Sequence, residues 1–279
     1  MINYNGTLTE NSNITIEQNR GFLYGDAVFE TLKVLDGKIL FLEDHYFRLM
    51  ASMRIVRMEI PMHFTMEYME EQVKLLVEAL NMRSSSRVRV TFFRKQGGFY
   101  LPINNDAEFI ITAEAMKEAM YSFTDDTYEV DLFKDFYVTK QLLSTLKTTN
   151  KMVQITGSIF AYENGLNNCL LINDDKNVIE ALQGNLFMLK DGKLITPPVT
   201  DGCLNGIMRK QVLAIARKME GVEVVEESIS PFDLQKADEL FVTNVIKGIQ
   251  PITKYRKKEY GQNLAAEILK RLNAQVRLG

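Results

Sequence analysis

The sequence predicts a mixed α/β (α+β) chain folded as two α/β domains. Three observations carry that reading. Residues 28–34 alternate, with Val28, Glu30, Leu32 and Val34 on one side and Phe29, Thr31 and Lys33 on the other, the period of a strand. Helical spacing follows at once, because Phe47, Met50, Ala51 and Ile55 recur three and four apart. Residues 115–125 are polar and lack either period, so they mark a boundary. The division expected is a smaller domain over 1–114, a linker over 115–122 and a larger domain over 123–279. A chain of 279 residues is long enough for two such cores.

Taken in order, Asn5-Gly6 is a hairpin turn between two short strands in residues 1–10. Asp36-Gly37 turns the strand at 28–34 into another at 38–42. The helix at 42–56 is expected to bury Phe47, Met50, Ala51 and Ile55. His45 and Arg48, three apart, share another of its faces. A second helix covers 64–82 through Met66, Met69, Val73, Leu76, Val77 and Leu80. Residues 87–93 form a strand with Arg87 and Arg89 on one side, residues 96–102 an aromatic loop, and residues 107–114 another strand. In the larger domain, helices are expected at 152–163, 207–219, 231–237 and 262–272. Strands are expected at 169–172, 177–181, 186–189 and 239–243.

Composition narrows the chemistry. Apolar residues make up 46% and charged ones 25%, the balance of an ordinary globular protein. A net charge of −3 argues against a nucleic-acid partner. No apolar run approaches the ~20 residues that span a membrane. The first residues, Met1-Ile2-Asn3-Tyr4-Asn5-Gly6, lack the basic and apolar regions of a secretion signal. Two cysteines imply no disulfide framework, and a cytoplasmic protein is expected. With only His45 and His63, a Ser-His-Asp triad or a His-rich metal site is disfavoured, and no metal is expected. Lysine, acid and arginine chemistry is what the chain has in quantity.

Three stretches offer it. Lys147 lies between Leu146 and two threonines, just ahead of a helix, as it would at a strand-to-helix junction. Burial favours the neutral amine that a Schiff base requires, and Lys151 is its nearest rival. Glu180 shares a strand face with Val178 and Leu182, and a carboxylate there needs a cationic partner such as a protonated ring nitrogen. Asn205-Gly206-Ile207-Met208 opens an amphipathic helix, whose first N–H groups suit a phosphate. Arg48 would add a charge-assisted phosphate contact. An amine, an acid and an anion cradle together describe a site for pyridoxal 5'-phosphate (PLP).

A longer ordered set of motifs supports this. Tyr24-Gly25-Asp26-Ala27-Val28-Phe29-Glu30-Thr31 is followed by His45-Tyr46-Phe47-Arg48-Leu49 and Leu146-Lys147-Thr148-Thr149-Asn150. Then come Glu180 with Asn185-Leu186-Phe187, Thr196-Pro197-Pro198, Asn205-Gly206-Ile207-Met208-Arg209 and Ala237-Asp238-Glu239-Leu240-Phe241. The set resembles the class IV aminotransferases, among them branched-chain and D-amino-acid aminotransferases and aminodeoxychorismate lyase. It spans residues 3 to 252. The resemblance implies a fold-type IV enzyme with PLP in the cleft between two domains, usually a homodimer. It implies that Lys147 forms the aldimine and serves as catalytic base, that Glu180 holds the ring nitrogen, and that Arg48 with the main chain of Ile207 and Met208 binds the phosphate. Asn244 and Val245 fall where relatives often have Ser or Thr near the phosphate, and Phe29 where a ring faces the substrate.

The substrate is less sharply indicated. Arg89, Arg94 and Lys140 are candidates to receive its carboxylate, and Tyr100 lies in the adjacent loop. Asn205-Gly206-Ile207-Met208-Arg209 and Thr243-Asn244 look more like the lyase. Gly97-Gly98-Phe99-Tyr100, however, lacks an arginine of the lyase loop, and the Arg-x-His pattern of the D-amino-acid enzymes is missing too. The leading expectation is amino-group transfer between an amino acid and a 2-keto acid. The alternatives are a lyase that eliminates pyruvate from an amino-chorismate to give 4-aminobenzoate, and a catalytically silent PLP-binding protein.

Overall fold

The computed structural model describes residues 1–12, 14–123 and 126–278. The chain divides into two compact units, Met1–Ala119 with Lys147–Asn150, and Met120–Leu146 with Lys151–Gly279. Residues 147–150 thus group with the first unit, whereas the sequence division set all of 123–279 together.

The first unit is built on strands β1 (Ile2–Tyr4), β2 (Thr7–Thr9), β3 (Ala27–Leu35), β4 (Lys38–Ile39), β5 (Ser85–Arg94) and β6 (Ala107–Ala115). They form one antiparallel sheet in the order β2-β1-β6-β5-β3-β4. A short helix α1 (Arg20–Tyr24) precedes β3, and α2 (Leu42–Ile55) and α3 (Met66–Ala79) contribute to its main core. Val28, Leu32 and Val34 of β3 join Val88 and Val90 of β5 and Leu49, Met53, Val73 and Leu76 of the helices there. This is the strand alternation read from the sequence.

Two expectations for this unit are corrected. The strand at 38–42 shrinks to the two residues of β4, because Phe41 takes a left-handed conformation (φ 56°) and the chain enters α2 at Leu42. The buried face of α2 is His45, Leu49, Met50, Ser52 and Met53, while Phe47, Ala51 and Ile55 are exposed. The apolar residues of α2 allow more than one face, and Glu30 beneath it decides which one turns inward.

The second unit holds β7 (Glu129–Val138), α4 (Met152–Glu163), β8 (Asn168–Asn173), β9 (Val178–Ala181), β10 (Gly184–Lys190), β11 (Lys193–Thr196), α5 (Ile207–Ala216), β12 (Glu223–Glu226), α6 (Pro231–Leu234), β13 (Glu239–Asn244), β14 (Gly248–Ile252), β15 (Lys254–Tyr255), β16 (Lys258–Glu259) and α7 (Asn263–Leu278). Its sheet runs β12-β11-β10-β9-β8-β7-β15-β16, with β13 on β10 and β14 on β13. The strand β7 escaped the sequence reading because its second half, from Lys134 to Tyr137, is exposed and carries no inward row. Among the described residues no helix is long and apolar enough to cross a membrane.

Candidate active site

In the first unit the site grows from the two faces of β3. Because β4 pairs only with Val34 and Leu35, the first half of the β3 edge is left for another segment. Residues 147–149 take that edge. Phe29 N–H donates to the Lys147 carbonyl (2.8 Å), Thr149 N–H donates to the Ala27 carbonyl (3.1 Å), and Val28 bridges Thr148. Lys147 therefore lies in an extended, strand-like segment that follows a 3-10 turn (Leu142–Thr145) and precedes α4. The expected junction ahead of a helix is there, with a bridge to β3 in place of a full strand. Lys151, its rival, is the N-cap residue of α4.

The Lys147 ammonium nitrogen stands 4.6 Å from the centroid of the buried Phe29 ring. The Arg89 guanidinium lies 3.6 Å from the same centroid. Thr31, opposite Arg89 on β5, is on the Phe29 side of β3, so register alone brings Arg89 beside that ring. Arg89 donates to Thr91 Oγ1 (3.1 Å) and has no carboxylate partner among the described residues. Burial, with help from Arg87, lowers its pKa. Phe29 thus carries an amine and a guanidinium on one ring.

The other face of β3 holds a charge cluster. Glu30 points under α2 and is 1% exposed. It accepts from Arg48 Nε and Nη2, each at 2.7 Å, and lies 2.7 Å from His45 Nδ1. Burial pushes the Glu30 pKa up, but Arg48 and His45 outweigh it and hold the carboxyl at about 2. Burial lowers the His45 pKa against the pull of Glu30, with Arg48 and Lys147 reinforcing that effect. His45 Nε2 has no partner among the described residues. The sequence reading gave Glu30 no role. The signal was there, an acid in the inward row Val28, Glu30, Leu32, Val34, with His45 and Arg48 on one helix face above it.

Two other candidates have their charges spent within the protein. Arg94 uses all three guanidinium nitrogens, on Asp26 Oδ2 (3.0 Å), Asn105 Oδ1 (2.6 Å) and the carbonyls of Arg57 (2.9 Å) and Val56 (2.8 Å). Lys140, in the second unit, pairs with Asp175 (2.6 Å) and lies 3.9 Å from Asp201. The hydrogen bond and charge of Asp175 raise its pKa. Tyr100 is exposed and meets Tyr24 at a ring-centroid distance of 5.8 Å.

In the second unit, strand register sets a separate group of candidate residues. Glu180 of β9 lies opposite Asn185 of β10, and Asn185 lies opposite Thr243 of β13. Leu204 is gripped by the first two: its N–H donates to Glu180 Oε2 (2.9 Å), and its carbonyl accepts from Asn185 Nδ2 (2.7 Å). This seats Gly206 so close to Asn185 that a Cβ would collide with Asn185 Oδ1. Gly206 is the N-cap of α5 and has no side chain to satisfy the first turn, where Ile207 and Met208 stand. The Asn244 side chain is committed to Ile246 N–H, Lys247 N–H and the Gln183 carbonyl. Tyr121 Oη fixes the Val245 carbonyl at 2.7 Å. Asn244 and Val245 therefore have main-chain groups, rather than side chains, to offer an anion.

These groups fit PLP by their chemistry. The first unit presents an amine and arginines. The second presents a buried carboxylate and an uncapped helix start with room for close approach, the usual seat of a phosphate.

Comparisons with known proteins agree. The chain matches the family model for amino-transferase class IV over residues 27–255. It is 28% identical over 261 residues to a putative branched-chain-amino-acid aminotransferase of Methanocaldococcus jannaschii, covering 93% of this chain and 88% of that one. It is 26% identical over 255 residues to a D-alanine aminotransferase of Listeria monocytogenes, covering 89% and 85%. Its fold superposes on the branched-chain aminotransferase of Thermoproteus uzoniensis with a TM-score of 0.86 at 22% identity, covering 97% and 92%. A match over most of the sequence, carried by a fold that places an amine, a carboxylate and an anion cradle on ordered elements, makes this chain a member of the class IV aminotransferases, a family of PLP-dependent enzymes.

Proposed function

We propose that the chain transfers the amino group of an amino acid to a 2-keto acid with Lys147 as its catalytic lysine. One observation carries this reading: Lys147 and Arg89 share the Phe29 ring, and Arg89 has no carboxylate partner among the described residues. PLP, when bound, supplies the electron sink that makes a substrate α-proton acidic. Lys147 takes that proton as general base and returns it elsewhere. Arg89 receives a substrate carboxylate, and Phe29 forms the wall between them. Glu180 keeps the ring nitrogen protonated. Arg48, with the main chain of Ile207, Met208 and Val245, holds the phosphate.

The test is a visible spectrum of the PLP-loaded protein, recorded before and after L- and D-amino acids are added without any keto acid. The names of the relatives make branched-chain amino acids and D-alanine the first to try. The visible band is expected to bleach with some of them. A band that never forms with PLP would refute the role of Lys147. The lyase is the second reading, favoured by the run Asn205 to Arg209 and by Thr243-Asn244. A stable band together with pyruvate release from aminodeoxychorismate would establish it instead.

Two predictions belong here. Arg89→Met is expected to lower kcat/KM for the amino acid by about 10- to 100-fold, the worth of a charge-assisted hydrogen bond, with PLP affinity unchanged. Equal kcat/KM in both proteins would remove Arg89 from the substrate site. Glu180→Gln is expected to cut kcat by about 100-fold or more while the protein still retains PLP, because a neutral amide no longer holds the ring proton. Loss of PLP without a kinetic defect in the loaded fraction would make Glu180 a scaffold for Leu204 alone.

We further propose a cytoplasmic homodimer. Cys169 and Cys203 are buried free thiols, which suits a reducing compartment.

A further inference from the structure

The loop between β5 and β6 has an apolar tip that is held from inside by a buried cation. Gly97 and Gly98 take positive φ (111° and 74°), and a Cβ on Gly98 would collide with the Leu101 carbonyl. Glycine makes this turn without strain, and Gly98 then bridges Pro102 to close a small ring. The turn aims the carbonyls of Gly97, Gly98 and Phe99 at Arg20, whose Nη1 donates to them at 3.0, 3.3 and 2.6 Å. Arg20 Nε donates to Asp26 Oδ2 (2.9 Å), the oxygen that Arg94 Nε also reaches at 3.0 Å. Two buried guanidinium groups thus share one carboxylate, and buried cations need further acceptors. Arg94 has them in Asn105 and the carbonyls of Val56 and Arg57, and Arg20 has them in the loop. With its carbonyls turned inward, the loop leaves Phe99, Tyr100 and Leu101 83%, 91% and 84% exposed.

Through α1 this loop is joined to the face that carries Lys147. Gly21 of α1 sits so close to the sheet that a Cβ would stand 3.4 Å from the Cβ of Ala27 and 3.2 Å from that of Phe93. Ala27 and Phe93 lie opposite each other, and Ala27 is two residues from Phe29, so α1 covers the Phe29 side of β3. The carbonyl of its C-cap residue, Gly25, accepts from Thr149 Oγ1 and Asn150 Nδ2, each at 3.2 Å. The ring of Tyr24, the last residue of α1, lies 5.0 Å from the Arg20 guanidinium carbon and 5.8 Å from the Tyr100 ring. We propose that Arg20 is a positioning residue for substrate selection: it holds the loop so that Phe99 and Tyr100 present a ready-made apolar wall to the side chain of the amino acid. The occupant follows from the chemistry of the two surfaces. The Phe29 face offers an amine and a guanidinium, which suit the polar end of an amino acid. The loop tip offers apolar side chains on a backbone fixed by a buried ion pair, and a wall fixed beforehand binds without the cost of ordering it. This role rests on the transfer reading above.

Three variants test it: Arg20→Met, the tip variant Phe99→Ala with Tyr100→Ala, and the combination of all three changes. Each protein is loaded with PLP, and the rate of bleaching of its visible band is followed against the concentration of leucine and of alanine, in whichever configuration reacts. The wild-type protein is expected to prefer leucine. In Arg20→Met the leucine-to-alanine ratio of second-order rate constants is expected to fall about 10-fold or more, the worth of a few methylenes in an apolar pocket. The change should lie in the leucine concentration that half-saturates bleaching rather than in the limiting rate, and the band itself should be unaltered. The tip variant is expected to show the same fall and the combination no further one, because the arginine acts through the loop. An arginine with a merely structural role would lower Tm and leave the ratio alone. A tip variant that discriminates like the wild type overturns the proposed role whether or not Arg20→Met folds. So does a folded Arg20→Met protein with the wild-type ratio, an additive loss in the combination, or a wild type without preference for leucine. A wild type whose band no amino acid bleaches overturns the transfer reading itself, and the role of Arg20 falls with it.

Discussion

Lys147→Ala is expected to abolish turnover, lowering kcat by at least ~10⁴-fold, the upper range for a positioned general base alone. The lysine is asked to do two things, to hold the cofactor covalently and to move the α-proton, and alanine does neither. The loss should be chemical rather than structural. The groups that dock this segment on β3 are main-chain ones, Phe29 N–H to Lys147 C=O and Thr149 N–H to Ala27 C=O, and they survive the substitution. The variant should therefore melt with the wild type and still bind PLP, but after borohydride reduction and denaturation its chain should carry no added mass, whereas the wild-type chain keeps the reduced adduct. The phosphate roles proposed for Arg48 and for the start of α5 do not call on the lysine amine. Full activity in Lys147→Ala would transfer the role to Lys151. Loss of the fold would show that the Phe29 wall needs the lysine methylenes more than the chemistry needs its amine.

The legible parts of the molecule were those that a short stretch determines. The alternation of residues 28–34 set β3 and its inward row, and the turn at Asn205-Gly206 set the start of α5. What escaped depended on pairing between distant stretches. The path of Lys147 follows from the shortness of β4, which no residue near 147 announces. The gap that β4 leaves is filled from more than 100 residues away. Likewise Arg89, Arg94 and Lys140 look equivalent as letters. Only the fold shows that Asp26, Asn105 and two carbonyls absorb Arg94, that Asp175 absorbs Lys140, and that Arg89 meets no carboxylate among the described residues. Glu180 was read as a buried acid in need of a cation. That it also carries the Leu204 N–H, and so helps seat α5, comes from the register of β9 on β10.

Glu30→Ala should be the most damaging substitution for stability. The carboxylate is fully buried, and burial alone would raise its pKa; Arg48 and His45 reverse that and bring it from 4.5 to about 2. A folded pKa below the unfolded one means that the interaction stabilises the protein above the unfolded value and is lost as pH falls through the folded one. The window is therefore about pH 4.5 down to 2, and the shift corresponds to roughly 3 kcal/mol. Removing the acid does more than forgo this, because it takes two hydrogen bonds from Arg48 and the Nδ1 partner from the buried ring of His45. Breaking a buried pair costs about 3–5 kcal/mol, which lowers Tm on the order of 10 °C. The difference between wild-type and variant unfolding free energies in urea should be constant from pH 7 to about 5 and shrink below that. A difference that is small at pH 7, or independent of pH, would show that the pair contributes little. Glu30→Met with Arg48→Met separates structure from function. Replacing both charges with apolar groups of similar size should restore much of the stability. PLP affinity should stay low, because the arginine proposed for the phosphate is gone. Recovery of both would free Arg48 from any part in binding the cofactor and leave the cluster as a strut between β3 and α2.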